Sequence, residues 1–208
     1  CGKTTLARAI GRMVNVPKGQ LFLDNYDVID LTLEDLRKNI ALVPQEGYLF
    51  TNTLSENLRF GDPLASLKQI EDSAKQARLM DDIKGFPDGL NTLVGERGIT
   101  LSGGQRQRTA LGRALLISSP VLVLDDALAS VDNKTASAIL SSIRSQTDRT
   151  ILLISHQLSA AACCDRILVL NEGQLIQEGK HNDLIKTDGM YKSLWEREQA
   201  AEQLGNMR

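Results

Sequence analysis

The sequence predicts an α/β fold in which a mainly parallel sheet is flanked by helices. Three short apolar runs, at 40–44, 121–124 and 151–154, are each followed by polar residues. Continuous apolar runs of this length are typical of parallel strands that are buried on both faces. Between them lie segments whose apolar residues recur at helical spacing, the clearest at 103–118. Polar residues at the carboxyl ends of such strands line the ligand crevice of an α/β sheet, so we look there for function.

The composition is that of a globular domain. Hydrophobic residues make up 42% of the 208 residues and charged residues 24%. The net charge of -2 argues against nucleic-acid binding, for which a basic surface is expected. No apolar run reaches the roughly 18 residues that a membrane span needs. Cys1, Cys163 and Cys164 fit no metal-ligand spacing, and we expect free thiols in a reducing compartment.

The first segment, 1–14, predicts a helix with Leu6, Ile10 and Met13-Val14 on its apolar face. It starts with the letters GKTT, which match the end of a phosphate-binding loop of the form GxxxxGK[ST]. In that reading Lys3 reaches the β and γ phosphates, and the Thr4 hydroxyl binds Mg²⁺. Taken alone, GKTT also fits a capped helix with an incidental lysine. Since the loop requires an earlier glycine and a preceding strand, we expect both upstream in a longer protein.

The segment that follows is less regular until the strand predicted at 40–44. A weak strand at 20–23 leads to a turn at Asp24-Asn25, and 30–39 predicts a polar connection with a helical turn. Gln45, just past the strand, could contact Mg²⁺ or the attacking water, or be a solvated turn residue. The apolar residues at 48–50 would either pack against a helix at 53–58 or form a surface for a partner.

The stretch LSGGQ at 101–105 lies between the phosphate-loop letters GKTT and the strand 121–124, and the other motifs are arranged around it. Before it we predict a helix over 63–82, a turn at 86–89 and a glycine-punctuated loop at 92–98 with the charge pair Glu96-Arg97. Ser102 is either the N-cap of the next helix or a phosphate ligand. With Gly103, Gly104 and the helix dipole it would form a second anion site. One chain rarely needs two γ-phosphate sites, so two copies sharing two nucleotides are indicated.

The strand 121–124 ends in two carboxylates. Asp125 would hold Mg²⁺ through water and Asp126 would polarise the attacking water, although two acids can also merely end a strand. The segment 130–132, which ends in Asp132, would cap a helix over 133–144. His156, just past the strand 151–154, would contact the γ-phosphate and help to orient the water.

The C-terminal part adds an antiparallel edge. A hairpin is predicted from 166–170 and 174–177, around the turn at 171–173. A helix then runs from 183 to about 204, and the polar stretch 196–208 is expected to fray.

These motifs together resemble the nucleotide-binding domain of ATP-binding cassette (ABC) transporters, nearly from end to end. Each matches one family motif in order: 2–4 the end of Walker A, Gln45 the Q-loop glutamine, 101–105 the signature, 121–125 Walker B, 130–132 the D-loop and His156 the switch histidine. The letters VPQE at 43–46, Leu49-Phe50 and VGERG at 94–98 resemble the exporter type, of multidrug or lipid exporters.

The resemblance implies a P-loop NTPase fold with a helical signature subdomain at about 52–118. It implies ATP and Mg²⁺ as cofactors, with Thr4, Gln45 and Asp125 at the metal and Asp126, His156 and Gln45 in catalysis. The nucleotide would be bound by Gly2, Lys3, Thr4, Thr5, Ser102, Gly103, Gly104, Gln105 and Asp132.

The family assembles these sites in a head-to-tail dimer, in which each ATP lies between one chain's Walker motifs and the other's signature. A transmembrane domain is expected upstream, which places the chain at the cytoplasmic face of a membrane. The adenine-stacking aromatic residue would also lie upstream.

Asp126 departs from the family pattern, which usually has glutamate at this position. Retreat of the carboxylate by roughly 1 Å could slow hydrolysis on the order of 10²-fold. The D-loop residues 128–131 also depart. We therefore weigh a hydrolysing motor domain against a nearly non-hydrolytic regulatory subunit of a heterodimer, which we favour over a homodimer. A soluble ABC ATPase of DNA repair or translation fits less well, because no long coiled-coil heptads separate Walker A from the signature.

Overall fold

The computed structural model describes residues 2–95, 98–145 and 149–205. The predictions made for Cys1 and for the Glu96-Arg97 pair lie outside these residues. The strands are β1 (Phe22–Leu23), β2 (Tyr26–Asp27), β3 (Ile40–Val43), β4 (Asn52–Thr53), β5 (Leu93–Val94), β6 (Val121–Asp125), β7 (Thr150–Ile154), β8 (Ile167–Asn171) and β9 (Gln174–Gly179).

The helices alternate with these strands for much of the chain. They are α1 (Lys3–Ile10), α2 (Leu33–Asn39), α3 (Leu54–Arg59), α4 (Leu67–Gln76), α5 (Met80–Lys84), α6 (Gly103–Leu116), α7 (Asn133–Arg144), α8 (Leu158–Ala161), α9 (His181–Leu184) and α10 (Met190–Gly205), with a 3₁₀ turn at Gly89–Asn91. In the described part of the chain, no helix is both long and apolar enough to cross a membrane.

The central sheet is parallel, as the three apolar runs predict. Its strand order is β3-β6-β7, with Val43 opposite Leu124 and Asp125 opposite Ile154. Alternate residues of β6 enter two different cores. Leu122 and Leu124 pack in the cluster that contains residues of α6 and α7, whereas Val123 packs with residues of α1 and α2. The sheet is therefore covered on both faces, and its carboxyl edge is the open one.

A second apolar core holds the helical part between β4 and the start of α6. It contains Leu54, Leu58, Ile70, Ala74, Leu79 and Ile83, all buried. The prediction of one helix over 63–82 was wrong in extent, because the chain breaks between α4 and α5. Arg78 adopts the left-handed conformation, with φ 55°, and Leu79 is fully buried in this core. The break thus places the Leu79 side chain in the core, whereas a continuous helix would direct it elsewhere.

The predicted apolar face of the first helix was also too long. α1 ends at Ile10, and the backbone turns at Arg12, whose φ is 49°. Met13 lies beyond the helix and is 59% exposed, while Ala7 makes the buried contact. The side chain of Arg12 stabilises this turn by donating to the carbonyl groups of Val28 and Leu31.

The C-terminal hairpin β8-β9 is antiparallel, as predicted. The single helix predicted from 183 is instead the pair α9 and α10, and α10 continues to Gly205 rather than fraying from 196. Tyr191 fixes the start of α10. Its side chain is 1% exposed, its hydroxyl lies 2.8 Å from His181 Nδ1, and its amide donates to Gln177 Oε1.

Candidate nucleotide site

The N-terminus of α1 is an open anion-binding site. Gly2 precedes the helix with φ 87°, a conformation that glycine adopts without steric cost. No side chain caps the first turn, which therefore offers its backbone N–H groups and the positive end of the helix dipole. Thr5 lies exposed in that turn.

Three further segments place functional side chains at this helix end. Thr4 donates its hydroxyl to Asp125 Oδ1 at 3.2 Å, and Asp125 is 4% exposed at the end of β6. Lys3 Nζ lies 3.4 Å from His156 Nδ1, which follows β7. Lys3, Thr4, Asp125 and His156 were each singled out from sequence, and the structure brings these four together.

Asp126 lies beside the loop that follows β7 and contains His156. Its φ is 51°, a left-handed conformation that aspartate tolerates better than most residues. Its amide donates to the carbonyl of Ile154, which continues the ladder past the end of β6. Its Oδ1 accepts the amide of His156 at 3.4 Å. Asp126 and His156 line one open cavity of about 460 Å³, together with residues of α7 and α10.

Ser102 is the N-cap of α6, one of the two roles predicted for it. Its hydroxyl accepts the amide of Gln105 at 3.2 Å, and Gln105 Oε1 accepts the amide of Ser102 at 2.9 Å, which completes a capping box. Gln105 also donates to Asp82 of α5. Arg108 forms a partly buried ion pair with the same carboxylate. The start of α6 is therefore bound to the helical core, and nucleotide contact by Ser102 and Gln105 stays a prediction.

The D-loop residue Ser130 packs against the two signature glycines. A Cβ atom at Gly103 would lie 3.4 Å from Ser130 Oγ, and one at Gly104 would lie 2.8 Å from the Ser130 carbonyl oxygen. Gly103 and Ser130 line a second cavity, which also includes Gln45. The structure thus places Gln45 with the signature rather than in the cavity of Asp126 and His156.

Asp132 caps α7, as predicted. Its carboxylate accepts the amide of Thr135 at 2.9 Å. This backbone hydrogen bond is the main reason why the pKa of Asp132 is lowered.

Gln107 is a buried polar residue of α6 that no sequence motif singled out. It is 7% exposed, donates from Nε2 to the Gln45 carbonyl at 3.2 Å, and accepts the Ser130 amide on Oε1 at 2.9 Å. One side chain therefore connects the Q-loop to the D-loop. Its spacing from Leu111 and Ala114 places it on the buried stripe of α6, a signal that was available in the sequence.

An aromatic surface lies next to the Q-loop. Tyr48 and Phe60 are 68% and 62% exposed, and both rings contact Phe50. Arg113 lies over Phe50 and donates to the carbonyl groups of Tyr48 and Asn57. Burial lowers the pKa of Arg113. Leu49 packs against the helical core, which confirms the packing interpretation for that residue, and a partner contact by the exposed rings stays a prediction.

A parallel sheet that presents a glycine-led helix N-terminus, a lysine, and a threonine–aspartate pair at its carboxyl edge defines a P-loop nucleotide-binding domain. The comparisons with known proteins agree. The family model described as "ABC transporter" matches residues 1–129. The chain belongs to this family.

Its relatives are exporters, which confirms the predicted type. It is 40% identical, over 99% of its length, to the multidrug resistance-like ATP-binding protein MdlA of Buchnera aphidicola, and covers 36% of that protein. It is 44% identical, over 93% of its length, to the ATP-dependent lipid A-core flippase of Photobacterium profundum, and covers 33% of it. The structure of a bacterial Atm1-family ABC exporter with ATP bound matches with a TM-score of 0.88 and 39% identity, over 95% of this chain and 35% of that one. The chain thus spans about a third of the length of these relatives.

Proposed function

We propose that this chain is the ATP-binding and ATP-hydrolysing motor domain of an ABC exporter, in which ATP-driven dimerisation is coupled to export across a membrane. The observation that carries the proposal is the assembly of Lys3, Thr4, Asp125 and His156 at the uncapped N-terminus of α1. These side chains come from three distant parts of the sequence, and their chemistry suits a magnesium–nucleotide complex.

The donor set fits ATP and Mg²⁺. The free amides of α1 and the ammonium of Lys3 are donors for phosphate oxygens. The Thr4 hydroxyl and the Asp125 carboxylate are the hard oxygen ligands that Mg²⁺ prefers, and they already lie within hydrogen-bond distance of each other. Gln45 would complete this set from the Q-loop. When bound, Mg²⁺ neutralises the charge on the phosphate groups.

The remaining roles follow from position. Asp126 faces the loop of His156 and would polarise the attacking water. His156 would contact the terminal phosphate and help to orient that water. Hydrolysis of this kind depends on positioning and charge neutralisation rather than on covalent chemistry, so small displacements of these groups would slow it.

A second nucleotide-binding domain is the expected partner. Gly103 and Ser130 lie together at one cavity, whereas Lys3 is at His156 near another. Head-to-tail pairing would bring Ser102, Gly103, Gly104 and Gln105 of one chain to the phosphate loop of its partner, with Asp132 nearby. Asp126 favours a heterodimer in which this chain's own site is slow. In the alternative function the chain is a nearly non-hydrolytic regulatory subunit of such a pair.

The exposed aromatic surface of Tyr48, Phe50 and Phe60 suits a contact with a membrane domain, expected on the same polypeptide or on the partner's. The chain would then act at the cytoplasmic face of a membrane. A soluble ABC ATPase fits less well, because the similar proteins are exporters.

The test is ATP binding and hydrolysis by the full-length protein in lipid nanodiscs. Lys3→Ala should weaken ATP binding more than about tenfold, because it removes a charged phosphate ligand. Lys18→Ala is the matched control, since Lys18 forms an exposed ion pair with Asp30 and should be neutral. Equal ATP affinity of the Lys3→Ala and Lys18→Ala proteins would contradict the proposal.

A further inference from the structure

The last helix carries a carboxylate on its buried side. Glu198 follows Tyr191 by two helical turns, so both residues lie on the same face of α10. Tyr191 is buried and bonded at the start of the helix. The docking of α10 through Tyr191 therefore directs Glu198 toward the chain that follows β7.

Glu198 binds the loop 156–159, which begins with His156, through two backbone amides. Its Oε2 accepts the amide of Leu158 at 2.9 Å, and its Oε1 accepts the amide of Ser159 at 3.0 Å. These two amides begin α8, a helix of four residues whose N-cap, Gln157, provides no side-chain bond. Without Glu198 the short helix would begin with unsatisfied donors.

Four consecutive amides in this loop, 156–159, donate to side-chain oxygens. The first donates to Asp126, the second to Ser155, and the other two to Glu198. Two of these four amide hydrogen bonds thus come from α10. Charged acceptors make the stronger bonds of this kind, and Glu198 supplies two such bonds at once.

We propose that Glu198 is a positioning residue for the nucleotide site. By binding the amides of the loop 156–159, Glu198 holds His156 in its place beside Asp126. The inference rests on the proposed function, because it assigns Glu198 a role in hydrolysis. Glu198 acts through the backbone of the loop and lines the same cavity as Asp126 and His156. The C-terminal helix is then part of the catalytic apparatus rather than a cover for the core.

The experiment measures steady-state ATP hydrolysis by the full-length exporter in lipid nanodiscs. Glu198→Ala should lower kcat about tenfold and leave KM for ATP within about twofold, because the loop loses its alignment while the phosphate-loop contacts remain. Glu198→Gln should fall between Glu198→Ala and wild type, since an amide keeps one acceptor oxygen. Glu196→Ala is the control, because Glu196 is exposed on the same helix.

Hydrogen–deuterium exchange tests the anchoring directly. The amides of Leu158 and Ser159 should exchange faster in Glu198→Ala than in wild type and Glu196→Ala, while the amides of β6 stay unchanged. A Glu198→Ala protein with wild-type kcat, or with unchanged exchange at these two amides, would overturn the proposal. If the amides of β6 also exchange faster in Glu198→Ala, the variant has lost stability in general. Glu198 would then be a stability residue, and this result too would overturn the proposal.

Failure of the proposed function has a different signature. A wild-type exporter that hydrolyses no ATP even when assembled with its partner would sink the motor function and with it the role of Glu198 in hydrolysis. Exchange at Leu158 and Ser159 would then still decide whether Glu198 anchors the loop.

Discussion

Thr4 donates its hydroxyl to Asp125 Oδ1 at 3.2 Å, although 121 residues separate them in the chain. The contact exists because α1 packs on β6 and β7, so that its N-terminus meets the carboxyl end of β6. Asp125 is nearly inaccessible there. A buried carboxylate needs a partner, and the threonine hydroxyl provides one.

Replacement of Asp126 by glutamate should raise ATP hydrolysis by about 10- to 100-fold, if this site is the slow one of a heterodimer. The longer side chain would bring the carboxylate closer to the attacking water. The measurement is steady-state ATPase activity of the purified protein without any partner. Asp126→Asn, which removes the charge, is the control and should stay inactive. If wild type already hydrolyses ATP at about 1 s⁻¹ or faster, Asp126 is an effective base and a homodimer suffices.

Replacement of Gly104 by alanine should destabilise the protein by about 1–3 kcal/mol, because the new Cβ would lie 2.8 Å from the carbonyl oxygen of Ser130. The neighbouring Gly103→Ala is a matched control. Its Cβ would lie 3.4 Å from the Ser130 hydroxyl, which can rotate away, so a change within about 0.5 kcal/mol is expected. Denaturant unfolding of both proteins gives the comparison. Equal stability of the two variants would mean that the D-loop does not press on Gly104.

Replacement of Gln107 by leucine should lower the free energy of unfolding by about 1–3 kcal/mol, because the Gln45 carbonyl and the Ser130 amide each lose a partner inside the protein. Gln107→Glu should keep the bond from the Ser130 amide but oppose the Gln45 carbonyl with a second oxygen. The exposed Gln203→Leu serves as the control in the same unfolding experiment. A Gln107→Leu protein as stable as the control would argue against the connection of the two loops.

Replacement of Tyr191 by phenylalanine should remove a step of alkaline destabilisation. Burial raises the pKa of Tyr191 from 10.0 to about 12. The unfolded chain therefore releases this proton first, and wild type should lose up to about 2–3 kcal/mol of stability as the pH rises from 10 through 12. Below pH 10 the contribution is fully present. Unfolding of wild type and Tyr191→Phe at pH 8, 10 and 12 measures the difference, which should shrink as the pH rises.

The parallel sheet and its strand ends could be predicted because their physical signal is local. A buried parallel strand is a continuous apolar run, and the polar residue after it stands at the ligand edge. The position of His156 after β7 follows directly, whereas β3 ends one residue before its predicted end and β6 extends one residue beyond its own, to Asp125. The hairpin β8-β9 was predicted from its turn, where Gly173 adopts positive φ. The turn at Asp24 was also predicted, but its second strand, β2, was not.

The breaks within helices and the contacts of buried polar side chains were not predictable in the same way. Arg78 carries no sequence signal for a left-handed turn, and only the burial of Leu79 explains it. Gly189 was a sequence signal for the break before α10. The apolar residues at helical spacing on both sides of it nevertheless led to the prediction of one continuous helix. Gln107 and Glu198 escaped notice because a polar residue on a helix normally faces solvent. Only the tertiary structure shows that they bind loops.

The backbone that carries the aromatic surface beside the Q-loop is held by hydrogen bonds with buried or half-buried side chains. Asn57, fully buried, exchanges hydrogen bonds with both backbone groups of Phe50 and also donates to the carbonyl of Thr53. Arg113 fixes the opposite side of the same loop. The entropic cost of ordering the loop backbone at Tyr48 and Phe50 is therefore met when the chain folds, and not when another protein binds this surface. Because Arg113 of α6 lies over the rings of Phe50 and Phe60 and donates to the Tyr48 carbonyl, a movement of α6 would carry both rings with it.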